Sequence, residues 1–153
     1  MGLDQYLYKK HYVKNWAYMK PEERTEVTVK KGGEIDKHIK PERIVEISEE
    51  IAIWRKSNQI HHWFVENVQN GNDDCKEHEV SGGQLNDLLE LIEKVLVDRS
   101  LAPELLPTQE GFFFGDTSYD EEYFDDLEYT KSILVKLLAE DGIDGYYDYT
   151  SSW

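Results

Sequence analysis

Cysteine is almost missing from this chain: Cys75 is the only one among 153 residues, so no internal disulfide can form and nothing points to an oxidising compartment. No stretch approaches the roughly 18 apolar residues of a membrane span, and the opening MGLDQYLYKK lacks the basic start and apolar run of a secretion signal. Position 6 is Tyr where a myristoylation motif wants Ser or Thr. A cytoplasmic protein with no membrane partner is the expectation. Glycine-rich phosphate loops of the P-loop or dinucleotide type are also missing, so no cofactor is expected. There is no internal repeat and no linker, and the length suits one globular domain spanning residues 1–153.

Positive charge is scarce and unevenly placed. The formal net charge is −15, with residues 1–43 carrying 10 Lys/Arg against 7 Asp/Glu and residues 44–153 carrying 7 against 25. Direct binding to nucleic acid phosphates through the larger part is disfavoured, whereas a basic protein surface suits it. What the chain does have is aromatic weight, with 10 Tyr and 4 Trp and 39% hydrophobic residues, enough to argue against disorder.

Residues 3–8 read as a strand, 25–39 as a hairpin turning at Gly32-Gly33, and 43–48 as a further strand. From Ser57 the period becomes helical, with Ile60, Phe64 and Val68 on one stripe, and Gln69-Asn70-Gly71-Asn72 ends the helix. A short strand is expected over 75–81. Ser81 with Gln84 makes a capping box for a second helix carrying Leu85, Leu88, Leu89, Ile92, Val95 and Leu96. GFFFG at 111–115 reads as a buried strand with Phe112 and Phe114 inward and Phe113 facing away. Ser118 with Glu121 marks the start of the last helix, and GYYDYTSSW returns as a strand. The sum is an α+β domain, an antiparallel sheet with about three helices on one face.

Two segments carry the candidate site. On the first helix Asn67 falls inside the apolar stripe and His61 on its edge, while His62 and Glu66 face solvent. A buried amide must find a partner, either within the protein or in a ligand. One wall of a pocket would be Arg55, Asn58, His61, Trp63 and Asn67, with Arg55 able to fork two oxygens of an anionic ligand. The other wall would be Phe113, Asp116, Tyr119 and Asp120. A metal held by His61, Asp73 and Asp74 is a weak alternative, because zinc wants paired soft ligands that Cys75 and His78 alone do not supply. Catalytic residues cannot be assigned, and Cys75 sits among acids that would hold its thiol unreactive. Seven acids between Asp116 and Glu128 form either a solvated face or a row of carboxylates imitating a phosphate backbone.

The strings MGLD-YLY, WRKSNQIHHWFVENVQNGNDDC and LLPTQEGFFFGDTSYDEEYF resemble a family of small tailed-bacteriophage and prophage proteins of unassigned function. The resemblance implies an accessory protein acting in the infected host's cytoplasm in host takeover or counter-defence. Three functions follow as expectations. The first is a pocket binding a polar, nucleotide-like ligand; the second an acidic inhibitor of a basic host protein; the third a metal- or His61-dependent hydrolase. Self-association is left open.

Overall fold

The computed structural model describes residues 2–153, and the chain divides into two compact units, residues 1–9 with 50–153 and residues 10–49. The architecture is α+β, as the patterning predicts, with a four-stranded antiparallel sheet and helices that bury one of its faces. Strand β1 covers Asp4–Tyr12 and strand β4 covers Glu46–Arg55. The sheet order is β4-β1-β6-β5, with β5 covering His78–Ser81 and β6 covering Tyr146–Ser152.

Alternation along each strand decides which face is covered. Gln5 and Leu7 of β1, Ala52 and Trp54 of β4, Val80 of β5 and Tyr147, Tyr149 and Ser151 of β6 are buried. Their neighbours Tyr6, Tyr8, Asp148 and Thr150 are only half-buried. Against the buried face lie α1 (Asn58–Asn67), α2 (Gly82–Val97), the single turn α3 (Ala102–Leu105) and α4 (Glu121–Asp141).

Helix α2 starts where its capping box predicts. The Ser81 hydroxyl accepts from the Gln84 amide at 3.1 Å while the Gln84 side chain accepts from the Ser81 amide at 2.9 Å. Its Leu85, Leu88, Leu89, Ile92 and Val95 are all buried. In α4 the buried set is Tyr123, Phe124, Leu127, Thr130, Leu134 and Leu137, and Trp54 Nε1 donates to Thr130 Oγ1 at 2.8 Å beneath it. Among the described residues, no helix is long and apolar enough to cross a membrane.

Three local expectations are corrected. GFFFG forms a turn rather than a strand: Phe113 takes φ 66°, so only Phe114 points inward and Phe112 and Phe113 stand exposed. Asp120, not Ser118, caps α4, its Oδ1 accepting from the Tyr123 amide at 3.1 Å. The 25–39 hairpin does turn at Gly32-Gly33, both left-handed, but its strands are two residues each: β2 (Lys30–Lys31) and β3 (Glu34–Ile35). They form a separate two-stranded sheet in the second unit.

The second unit has its own local bonds. Asn15 and Thr25 clasp each other, side chain to backbone, at 2.8 and 2.9 Å; Trp16 stacks on Tyr18; and Lys14 lies 3.9 Å over the Trp16 ring.

Gly82 and Gly83 open α2 side by side in different surroundings. A Cβ on Gly82 would stand 2.8 Å from the Gly142 carbonyl oxygen and 2.9 Å from the Ile143 backbone, whereas one on Gly83 meets only the Ser81 hydroxyl at 3.7 Å. Gly83→Ala should therefore stabilise by about 0.5–1 kcal/mol through the unfolded state. Gly82→Ala should instead cost about 1–3 kcal/mol, because backbone must move. Urea unfolding of the two variants measures the opposite signs.

Candidate functional site

At the start of helix α1 Ser57, Asn58 and Gln59 are all buried; the two amides reach across to other segments, while the Ser57 hydroxyl has no hydrogen-bond partner among the described residues and only its carbonyl is bonded from another segment. Asn58 Nδ2 donates to the carbonyls of Phe114 at 3.1 Å and Asp116 at 2.9 Å, and its Oδ1 accepts from the Gln109 amide at 3.0 Å. One amide thus fixes the loop 109–116 against α1. Gln59 Nε2 does the same for α4, donating to the Tyr123 carbonyl at 3.2 Å and meeting Asp126 Oδ2 at 3.4 Å. The Ser57 carbonyl accepts from Gln5 Nε2 at 3.1 Å.

Between the segments held this way lies an open cleft of about 550 Å³. Arg55, Lys56 and Gln59 line one side; Gly115, Asp116, Ser118, Asp120, Glu122, Tyr123, Asp125 and Asp126 line the other. Lys56 sits in the left-handed region at φ 58°, and Gly115, at φ 89°, packs on it so closely that a Cβ would come 3.0 Å from Lys56 Cβ. Left-handed backbone is costly for a residue with a side chain, and here it lies at the edge of the cleft.

Seven charged side chains line the cleft, two cationic and five acidic. Their environments differ. Asp116 is exposed and accepts from the Ser118 hydroxyl and amide, which holds its carboxyl below the ordinary value. Asp126 is half-buried, and desolvation pushes its carboxyl up despite the hydrogen bond from Gln59, with Glu122 and Asp125 adding repulsion.

The predicted residues separate into three groups. Arg55, Asp116 and Asp120 do meet in the cleft. Asn58 stands behind it as a fastener with both ends of its amide bonded, and Phe113 and Tyr119 are outside the lining; Tyr119 Oη accepts from the Thr108 amide at 3.3 Å. Trp63 and Asn67 line a separate recess of about 140 Å³ with Leu105, Leu106 and Pro107. Asn67 is not buried, as the wheel predicts, but exposed, and its Nδ2 bonds back to the Trp63 carbonyl at 2.8 Å.

His61 lies in neither cavity. It is fully buried, with Nδ1 2.8 Å from the Tyr149 hydroxyl and Nε2 2.8 Å from Asp73 Oδ2. Trp153 Nε1 donates to the other Asp73 oxygen at 2.9 Å. Both ring nitrogens are taken, so none is left to act as a general base on a substrate. Asp73 is likewise committed to His61, and Asp74 to His78 at 2.8 Å. Among the described residues, no group of three or more His, Cys, Asp or Glu side chains is placed to hold a metal ion.

Patterning did not pick out Lys56, Gln59, Glu122, Asp125 or Asp126 for the cleft. Glu122, Asp125 and Asp126 recur at i, i+3, i+4, which places them on one helix face and was the available signal. Comparison with family models, curated proteins and solved structures finds no match to this chain.

Burial holds the His61 imidazole below its ordinary value of 6.5, against the pull of Asp73. Neutral His61 donates from Nε2 to Asp73 and accepts at Nδ1 from the Tyr149 hydroxyl, whose single proton goes there rather than to Gln5 Oε1, 3.2 Å away. A lowered folded-state value means that the unfolded chain binds the extra proton first. Stability should therefore fall as pH drops below 6.5. Tyr149→Phe should cost about 1–3 kcal/mol by leaving Nδ1 without its donor. Chemical unfolding as a function of pH, with and without the substitution, checks both.

Proposed function

We propose that the protein is a binding protein whose cleft between α1 and the start of α4 holds a polar ligand bearing an amino or guanidino group. The observation that carries this is the charge of the lining, five carboxylates facing Arg55 and Lys56, a formal balance of −3. A nucleotide would bring its phosphates into that field, at a cost that two exposed cations on one side offset only in part. An ammonium or guanidinium gains on entry, and Arg55 and Lys56 remain for a carboxylate on the same ligand. The amine-bearing ligand is thus favoured over the nucleotide-like one.

Burial of Asp126 gives the site a selective element, since an ionised carboxylate that folding has partly stripped of water regains its partner only when a cation binds. In the phage setting that the sequence strings imply, the ligand is a metabolite of the host cell. A basic side chain of a host protein is the second reading, favoured because Glu122 and Asp125 of the cleft continue into the exposed Glu121 and Glu128 of the same helix.

Thermal melts distinguish these. Agmatine, arginine or spermidine should raise the midpoint at low ionic strength, a ligand at about 100 times its Kd adding about 2.7 kcal/mol. ATP and AMP should leave it unchanged; a shift with nucleotides and none with amines overturns the proposal. Asp126→Asn should abolish the amine shift. It should also stabilise the ligand-free protein at neutral pH, because it removes a carboxylate whose ionisation folding opposes. Amine binding should weaken as acid protonates Asp126.

A further inference from the structure

GFFFG displays two phenylalanines that the fold does not use. Phe114 anchors the segment: it is buried, its ring stands edge-on to His61 at 5.4 Å, and its carbonyl accepts from Asn58. Phe112 and Phe113 are 83% and 44% exposed, with ring centroids 4.2 Å apart, so the two rings form one apolar surface. Phe113 also holds a left-handed backbone, φ 66°, which bulky residues avoid. Backbone bonds on either side keep it there, from the Leu3 amide to the Phe113 carbonyl at 3.3 Å and from the Phe114 amide to the Gly111 carbonyl at 3.1 Å. Glycine or asparagine would take that angle more readily and would present no ring to water. Folding thus accounts for neither ring, and an apolar pair held out at a fixed place is a contact surface.

Charge beside the pair indicates its partner. Phe112 lines an open hollow of about 530 Å³ with Glu110, Gly111, Gly115 and Thr117, and Gly115 also lines the acidic cleft. Phe113 and Gly115 are two residues apart, so their backbones lie within about 7 Å of each other. In an extended peptide, side chains two residues apart project from the same side at about 7 Å spacing. A cationic side chain and an apolar one at that interval can reach the carboxylates and the rings together. Five carboxylates in the cleft and Glu110 in the hollow favour such a segment. The same acids repel an anionic lipid surface, and a second copy of this chain, at −15, brings like charge.

We propose that the cleft and the pair of Phe112 and Phe113 together dock a segment of a partner protein in which a Lys or Arg stands two residues from a large apolar side chain. The basic side chain enters the cleft, as the cation-binding reading of that site requires, and the apolar one covers the rings.

Fluorescence anisotropy with the labelled peptide Gly-Ser-Arg-Ser-Leu-Ser-Gly, and with versions carrying Ser in place of Leu or of Arg, tests this. The parent peptide should bind about tenfold more tightly than the version without Leu, and the version without Arg should not bind. Phe112→Ala should remove the tenfold difference while leaving the arginine-induced melting shift unchanged. Phe113→Asn should do the same without lowering the melting midpoint, because Asn tolerates the left-handed angle; a lowered midpoint would show that the ring serves the fold and would count against the proposal. Equal binding of the two Arg-containing peptides, beside a normal arginine shift, overturns the docking surface and leaves the cation reading of the cleft standing. Neither an arginine shift nor a bound peptide overturns both. Pelleting with phosphatidylserine vesicles that Phe112→Ala abolishes, without peptide binding, assigns the pair to lipid and overturns the proposal.

Discussion

The cleft depends on one buried amide. Asn58 is the first residue of α1, and its three hydrogen bonds to Gln109, Phe114 and Asp116 determine where the loop 109–116 runs. That loop is irregular and has only a few backbone bonds, from Leu3 to Phe113 and from Phe114 to Gly111, so the Asn58 side chain supplies much of its hold. Because the donors and acceptor of Asn58 are used up inside the protein, it is removed from ligand chemistry by the same bonds that create the ligand's space. Gln59 repeats the arrangement one residue later toward α4. Two consecutive amides thus fix the two chain segments beside a cleft lined by five acids.

The polar interior divides between jobs. Around His61 every group is paired with another group of the protein, in a run from Trp153 through Asp73 and His61 to Tyr149, whose ring stacks on Phe64 at 3.8 Å. Full pairing in a dry interior makes such a run rigid and chemically quiet. Asp126 differs in having a half-buried carboxyl beside open space, with like charges near it on its own helix. A histidine commonly attracts the functional reading; here the partly solvated acid is the better candidate.

Periodicity made the regular elements legible. The α2 stripe, its Ser81–Gln84 box, the α1 stripe and the returning tail strand follow from apolar spacing and capping chemistry, which are local. Failures came where a non-local bond or an unusual backbone angle decided the outcome. Three phenylalanines in a row look like a strand, but Phe113 at φ 66° reverses the chain and exposes two of them. Asn67 sits on the apolar side of the wheel, yet it is exposed and its amide turns back to its own helix at the Trp63 carbonyl. His61 was rightly singled out as a polar group needing a partner and Asn58 was read as a pocket wall, while their partners, Tyr149 and Phe114, lie 88 and 56 residues away along the chain. The stretch 10–49 carries strand-like residues, yet most of it forms turns and short elements, with strands β2 and β3 only two residues each.

Strand β6 has a kinetic consequence. It lies between β1 and β5 and pairs Ser152 with Asp4, so the sheet joins its middle last, across nearly the whole chain. Contacts of such sequence separation delay closure, since loop entropy is spent before the pairing is gained. Until then the inner edges of β1 and β5 are open to strands of other molecules, the state in which sheets aggregate. A chain carrying −15 keeps its own copies apart during that interval. The acidity that charges the cleft would then also protect the protein while its sheet is incomplete.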